Sequence, residues 1–339
     1  MKKINLALQG GGAHGAFTWG ILDRLLEEEK LEIAGISGTS AGAMNAVALT
    51  DGYVKNGKDG AKKSLRNFWE KISQVAAFSP VQRSPIDKFM GNWSIENAFS
   101  FQWFDTLTRA ASPYDLNPLN FNPLLDLIKN EIDFDCVNRC DVFDLFISAT
   151  NVNTGRVKIF DRKSLTADMV MASACLPLVF QAIEIDGVPY WDGGYMGNPS
   201  LFPLYHANKC DDILIIQINP IERPGPPKNT REITDRINEI TFNASLLSEL
   251  RAIHFVSRLK KEGVLQDTYY QDIKIHIIEN QKELNPLGAS SKMNAELAFL
   301  EHLREIGYET ATLWLEKNYK DIGNSSTVDL KKMFAGLTK

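Results

Sequence analysis

Cysteine is scarce in this chain. The four present, Cys136, Cys140, Cys175 and Cys210, form no C-x-x-C pair and fit no zinc-ligand spacing. They read as free thiols in a reducing compartment. Positive charge is not in surplus either. Lys and Arg number 37 against 42 Asp and Glu, for a net charge of −5. A nucleic-acid binder normally carries a basic stripe, so that class of partner is set aside. The same balance argues against strong electrostatic docking to anionic lipid. No apolar run approaches the roughly 18–20 residues that a bilayer span needs. Two lysines before Ile4–Leu8 imitate a secretion signal. That stretch is too short for one and runs into glycines with no cleavage-type site. The expectation is a cytoplasmic protein, peripheral at membranes if it meets them at all. Neither a calcium loop nor a metal-ligand spacing is present, so no metal and no cofactor are expected.

What is present is ordinary globular composition. The chain has 339 residues, 44% hydrophobic and 23% charged. That supports a sizeable core in one or two domains. Residues 4–9 are a short apolar run ending in glycines, and 16–29 carry apolar residues at helical spacing. Residues 33–37 follow as a buried-strand candidate, then 41–50 as a run of small helix formers. Further strands are expected at 142–151, 157–160, 213–219 and 273–279. A hairpin is expected within 181–191 around Asp186-Gly187. Long helices are expected over 233–261 and 293–319. In the first of these, Ile233, Ile237, Ile240, Ala244, Leu247 and Leu250 share one side. The last fifteen or so residues are polar and expected to fray. Strands alternating with helices imply a three-layer α/β/α fold with a mostly parallel central sheet.

Three glycine-bearing motifs carry chemistry. The first is Gly38-Thr39-Ser40-Ala41-Gly42, between an expected strand and an expected helix. A serine on such a turn is held exposed in strained dihedrals, and the helix dipole favours negative charge beside it. The bland alternative is an ordinary glycine-rich turn. The second is Gly10-Gly11-Gly12-Ala13-His14-Gly15. Successive glycines turn backbone N–H groups into one concavity that can hold an anion. Gly10, Gly12 and Gly15 also satisfy the dinucleotide fingerprint G-x-G-x-x-G. That reading lacks an acidic residue at the end of the second strand, because Glu32 stands at the wrong end. The third is Asp192-Gly193-Gly194, which alone reads as a turn aspartate.

Together the three motifs resemble the patatin-like phospholipase family. That family shows a glycine-rich oxyanion loop, a G-x-S-x-G elbow and a D-G-[GA] motif. The segment 172–180, Ala-Ser-Ala-Cys-Leu-Pro-Leu-Val-Phe, resembles the family's small-residue stretch before the hairpin. The resemblance implies a lipid acyl hydrolase acting on phospholipid or lysolipid. It implies Ser40 as nucleophile, Asp192 as its base and Gly10, Gly11 and Gly12 as oxyanion donors. Gly15, Gly38, Gly42, Gly193 and Gly194 would support them. It further implies a catalytic core over 1–220, with an irregular insertion near 79–123. A mainly helical extension over 221–339 would pack on the same domain. One departure is His14, where the family usually carries Arg or Lys. Two alternatives stay open: a Ser-His-Asp triad using His206 or His254, and a patatin-like scaffold without turnover. Homo-oligomerisation is also left open.

The insertion holds Pro80, Pro85, Pro113, Pro118 and Pro123 among many aromatics. Phe89, Met90, Trp93, Phe99, Phe101, Trp103 and Phe104 are read as a mobile cover meeting the lipid surface, against the default of aromatics packed on the core.

Overall fold

The computed structural model describes residues 1–77, 79, 81–265 and 270–334. Pro80 and the last five positions of the expected frayed end lie outside the described residues.

Four strands open the sheet: β1 (Lys2–Leu8), β2 (Leu31–Gly38), β3 (Asp144–Asn151) and β4 (Arg156–Asp161). Then come β5 (Ile183–Ile185), β6 (Val188–Asp192), β7 (Asp212–Ile216) and β8 (Lys274–Ile278). They form one sheet in the order β5-β6-β3-β2-β1-β7-β8, with β4 also paired to β3. The run from β3 to β8 is parallel, while β4, β5 and β6 pair antiparallel. Side chains alternate between two cores, as the strand period requires. Ile4, Leu6 and Leu8 of β1 enter one core with Leu214 and Ile216 of β7. Ala7, Ile213 and Ile215 enter the other. A strand buried on both faces reads as a continuous apolar run, which is why β7 has no polar alternation.

The first core is covered by α1 (Gly15–Glu27), α2 (Ala41–Ala76) and two shorter helices, α3 (Pro123–Glu131) and α4 (Ala167–Ser173). The second is covered by α5 (Thr230–Lys261), through Leu246, Leu250 and Ile253. Helices on both faces of a mostly parallel sheet make the three-layer α/β/α fold that the sequence pattern predicts.

β3 decides where the ends of other strands meet. β2 pairs with Asp144–Ile147, β6 with 149–151, and β4 with Phe146–Asn151. A strand has two edges, and β4 overlaps both other partners. So β2 and β6 share the opposite edge and run head to head along it. Gly38 lies across from Ile147 and Asp192 across from Ala149. Two residues of strand separate them, about 7 Å.

Three local outcomes differ from the sequence reading. The helix from Ala41 does not stop near Thr50; it runs on to the kink at Asn56 and Gly57, whose dihedrals are non-helical, and a second helix continues from there to Ala76. Asp51-Gly52 and Asn56-Gly57 both look like breakers, but only the second interrupts the helix. Second, the apolar stripe of α5 is not all core. Ile233, Ile237, Ile240 and Ala244 are exposed, Leu247 is half-buried and only Leu250 of the stripe is buried; the buried face carries Glu239, Asn243, Leu246, Leu250 and Ile253. Third, the aromatics of the insertion divide. Trp93 stacks on Phe299 at 5.1 Å and His302 at 5.6 Å, under the Arg83 guanidinium at 4.4 Å. Phe101 joins Ile95 and Ala98 in a small core of its own. Phe89, Phe99 and Trp103 face solvent at 90%, 81% and 59% exposure.

The chain beyond 220 is built into the same body. β8 extends the sheet, and α6 (Leu297–Asn318) lies so close across α1 that a Cβ on Gly20 would collide with the Arg304 carbonyl.

Candidate active site

Ser40 stands between the end of β2 and the first residue of α2, with φ 54° and ψ −123°. L-residues rarely adopt positive φ, so the turn is strained and must be held by its surroundings. Three side-chain bonds hold it. The Ser40 N–H donates to Ser173 Oγ at 2.8 Å, at the end of α4. Thr39 Oγ1 donates to the Gly197 carbonyl at 2.7 Å, and Ser37 Oγ to the Ser200 carbonyl at 2.6 Å. Gly38 and Gly42 flank the turn, as the motif requires.

Asp192 ends β6 and is 1% exposed. Its Oδ1 accepts the Gly194 N–H at 2.7 Å, and Ser40 lies near enough to favour the charged carboxylate. Its own N–H donates to the Cys175 carbonyl at 2.8 Å, and its carbonyl accepts Thr150 Oγ1 at 2.8 Å. Burial pushes the Asp192 carboxyl up to about 7, although Gly194 and Ser40 pull the other way. Gly193 and Gly194 form the turn that follows. The elbow and the aspartate come together because β2 and β6 meet on one edge of β3.

The glycine loop lies against the serine. A Cβ on Gly10 would sit 2.6 Å from Ser40 Cβ, so only glycine lets this backbone approach. Gly10, Gly11 and Gly12 do not share one role. The Gly10 N–H donates to Asn198 Oδ1 at 2.7 Å, and its carbonyl accepts Asn219 Nδ2 at 2.8 Å. Gly10 is thereby engaged, which leaves Gly11 and Gly12 as the loop's candidate anion donors. Gly15 opens α1 behind them.

The histidines lie elsewhere. His14 Nε2 is 2.7 Å from Ser291 Oγ, and burial with Lys292 nearby pushes its imidazole down to about 3. It is a neutral structural group in this loop. His254 stacks near Phe334 at 6.5 Å, His276 Nε2 is 2.9 Å from Asp212 Oδ1, and His302 covers Trp93. His206 is exposed in the loop after Tyr205. Among the described residues, no group of three His, Cys, Asp or Glu is placed to hold a metal ion, and no helix is long and apolar enough to cross a membrane. A cavity of about 620 Å³ opens at the other end of the sheet, lined by Lys3, Leu31, Ile33 and Asp144 near the starts of β1, β2 and β3.

Sequence reasoning missed Ser173, Asn198, Asn219 and Lys292. Asn198-Pro199 carried only a turn signal, Ser173 was noted only as part of the small-residue stretch 172–180, and Asn219 and Lys292 carried no local pattern.

The family described as patatin-like phospholipase matches residues 6–205. Two solved structures overlap the chain loosely. VipD from Legionella pneumophila is 16% identical, with a TM-score of 0.39, covering 93% of this chain and 67% of VipD. The type III effector protein ExoU is 16% identical, with a TM-score of 0.29, covering 88% of this chain and 53% of ExoU. The chain thus spans about half the length of ExoU. No curated protein matches the chain.

Proposed function

Because the chain belongs to the patatin-like phospholipase family, we propose that it hydrolyses lipid acyl esters through a Ser40–Asp192 dyad. One observation carries this reading: a strained elbow serine and a buried carboxylate are brought together where β2 and β6 converge on β3. Activation of Ser by a base within hydrogen-bond reach is the general requirement for such a nucleophile.

The chemistry runs in two halves. Asp192 takes the Ser40 proton while Oγ attacks the ester carbonyl. The carbonyl oxygen becomes an oxyanion facing the Gly11 and Gly12 N–H groups and the first amide of α2. The carbon–oxygen bond to the alcohol breaks, and protonated Asp192 returns the proton to the leaving alkoxide. Water then gives its proton to Asp192 and attacks acyl-Ser40, releasing the fatty acid and restoring the serine. A carboxyl near 7 suits both directions, since it gains and loses a proton close to neutral pH.

The surroundings of the dyad suit a lipid. Leu176 and Leu178 are exposed on the segment leading from Cys175, and Met196 just after Gly194-Tyr195. The ring of Phe242 on α5 lies against Gly194, and the exposed Ile233, Ile237 and Ile240 continue along that helix. An apolar rim of this kind rests well at a lipid–water boundary.

The test uses a fluorophosphonate probe and phospholipid vesicles. One label on Ser40, located by mass spectrometry, with fatty acid released from vesicles, is the expected result. Labelling of another serine, or equal labelling of Ser40→Ala, overturns the reading. Labelling of Ser40 without turnover of any ester points to a scaffold.

A further inference from the structure

A buried lysine stands behind the glycine loop, and the reaction as written does not use it. Lys292 Nζ donates to Asn219 Oδ1 at 2.7 Å, and Asn219 Nδ2 donates to the Gly10 carbonyl at 2.8 Å. Asn219 is itself fixed, because its backbone N–H donates to Gln9 Oε1 at 2.9 Å. The turn that carries Lys292, Ala289–Met293, is docked directly on the loop. A Cβ on Gly12 would collide with the Lys292 carbonyl, and Ser291 meets His14.

The orientation of these groups has a direction. In a trans peptide the C=O and the following N–H point opposite ways. Asn219 holds the Gly10 carbonyl, so the Gly11 N–H points away from Asn219 and Lys292. The Lys292 amine, the Asn219 amide and the Gly10–Gly11 peptide therefore lie head to tail, with the Lys292 donor at one end and the Gly11 N–H at the other. In such a chain each hydrogen bond polarises the next, and more strongly where water is excluded.

Burial pushes the Lys292 amine down, while Glu239 and Asp235 on α5 pull it up, Arg223 opposes them, and His14 beside it is neutral. Arg223 and Arg236 both bond the Glu239 carboxylate, which is 6% exposed. A buried ion is destabilising unless it is paired and hydrogen-bonded, and this one is aimed at the loop rather than at a carboxylate.

We propose that Lys292 is a positioning residue of the oxyanion site. Through Asn219 it fixes and polarises the Gly10–Gly11 peptide, so that the Gly11 N–H meets the charge forming on the substrate carbonyl oxygen. The inference rests on Ser40 as nucleophile. It adds that part of the site comes from residues 219 and 292, beyond the matched span 6–205.

The experiment measures kcat and KM on a soluble p-nitrophenyl ester, and the rate of fluorophosphonate labelling of Ser40. The proteins are the full-length wild type, Lys292→Met, Lys292→Arg, Asn219→Ala and the Lys292→Met/Asn219→Ala double variant. Lys292→Met should lower kcat about 10- to 100-fold, since a weakened donor costs less than a missing one, with KM within about twofold. Lys292→Arg should recover part of the loss. The double variant should be no slower than the slower single variant, because both changes break one chain of bonds. Asn219→Ala keeps the lysine and serves as the check if Lys292→Met folds poorly. Wild-type kcat in either single variant, or losses that multiply in the double, overturns the inference alone. A wild type that does not label at Ser40 overturns both this inference and the dyad.

Discussion

The elbow and the glycine loop stand side by side over Ser40, yet they are held differently. The elbow takes its support from Ser173, Gly197 and Ser200, all within the family-matched span. The loop takes Asn198 from that span but Asn219, Ser291 and Lys292 from beyond it. The strain is also on different sides. At the elbow the serine itself carries a positive φ. In the loop, Gly10 and Gly12 absorb backbone approaches that a side chain would block. A short motif can therefore mark the elbow serine, whereas the glycine loop beside it is held by residues from well beyond that motif.

The largest effects should break the elbow side. Ser40→Ala should lose the covalent label and lower turnover by a factor on the order of 10⁶. Its melting temperature should stay near wild type, and label retained on the variant would sink the assignment.

Asp192→Asn should lower turnover by about 10⁴. It also has a pH signature with a definite sign. Burial raises the Asp192 carboxyl from 3.8 to about 7, so the fold favours its neutral form. That stabilisation is fully present below the unfolded value of 3.8 and is lost as pH rises through about 7. Each pH unit between the two titrations is about 1.4 kcal/mol. The Asn variant should therefore match wild type in melting temperature near pH 4 and exceed it near pH 8. Wild-type turnover should rise with pH through about 7, as the base ionises. An unchanged gap in melting temperature at both pH values would show that the carboxylate is not held in a dry site.

A smaller contrast separates two tryptophans. Trp93→Ser removes a ring stacked on Phe299 and His302 and should destabilise the protein by about 2–3 kcal/mol, less than a fully buried Trp. Trp103→Ser changes an exposed ring and should leave the melting temperature alone. Hydrolysis of vesicle lipid should then fall severalfold in Trp103→Ser, with soluble-ester hydrolysis unchanged. Equal losses on both substrates would remove Trp103 from the lipid-facing rim. The smallest effects are expected at His206→Ala and His254→Ala, both within about twofold of wild-type turnover. Either one as inactive as Asp192→Asn, while still folded, would restore the triad.

The sequence made the layered sheet legible because short apolar runs, such as 213–216, recur between helical stretches. The turns at Ser40 and Asp192 were legible because glycine stands at fixed offsets in them, and Asp192 stood out only beside the other two motifs. Asn219 and Lys292 were not legible, since they act through long-range hydrogen bonds that leave no periodic trace. The stripe at Ile233, Ile237 and Ile240 misled for a related reason. Helical spacing reports that apolar residues share a face, but not what that face meets. Trp93 and Trp103 show the same limit, for composition groups them and only packing separates them.

The head-to-head meeting of β2 and β6 on β3 has a bearing on biosynthesis. A ribosome delivers Ser40 early, Asp192 much later, and Asn219 and Lys292 later still. On the dyad reading, the growing chain carries a serine without a base, and then a base without a settled oxyanion loop. On that reading, lipid-cleaving capacity arrives only after residues 219 and 292 have been delivered.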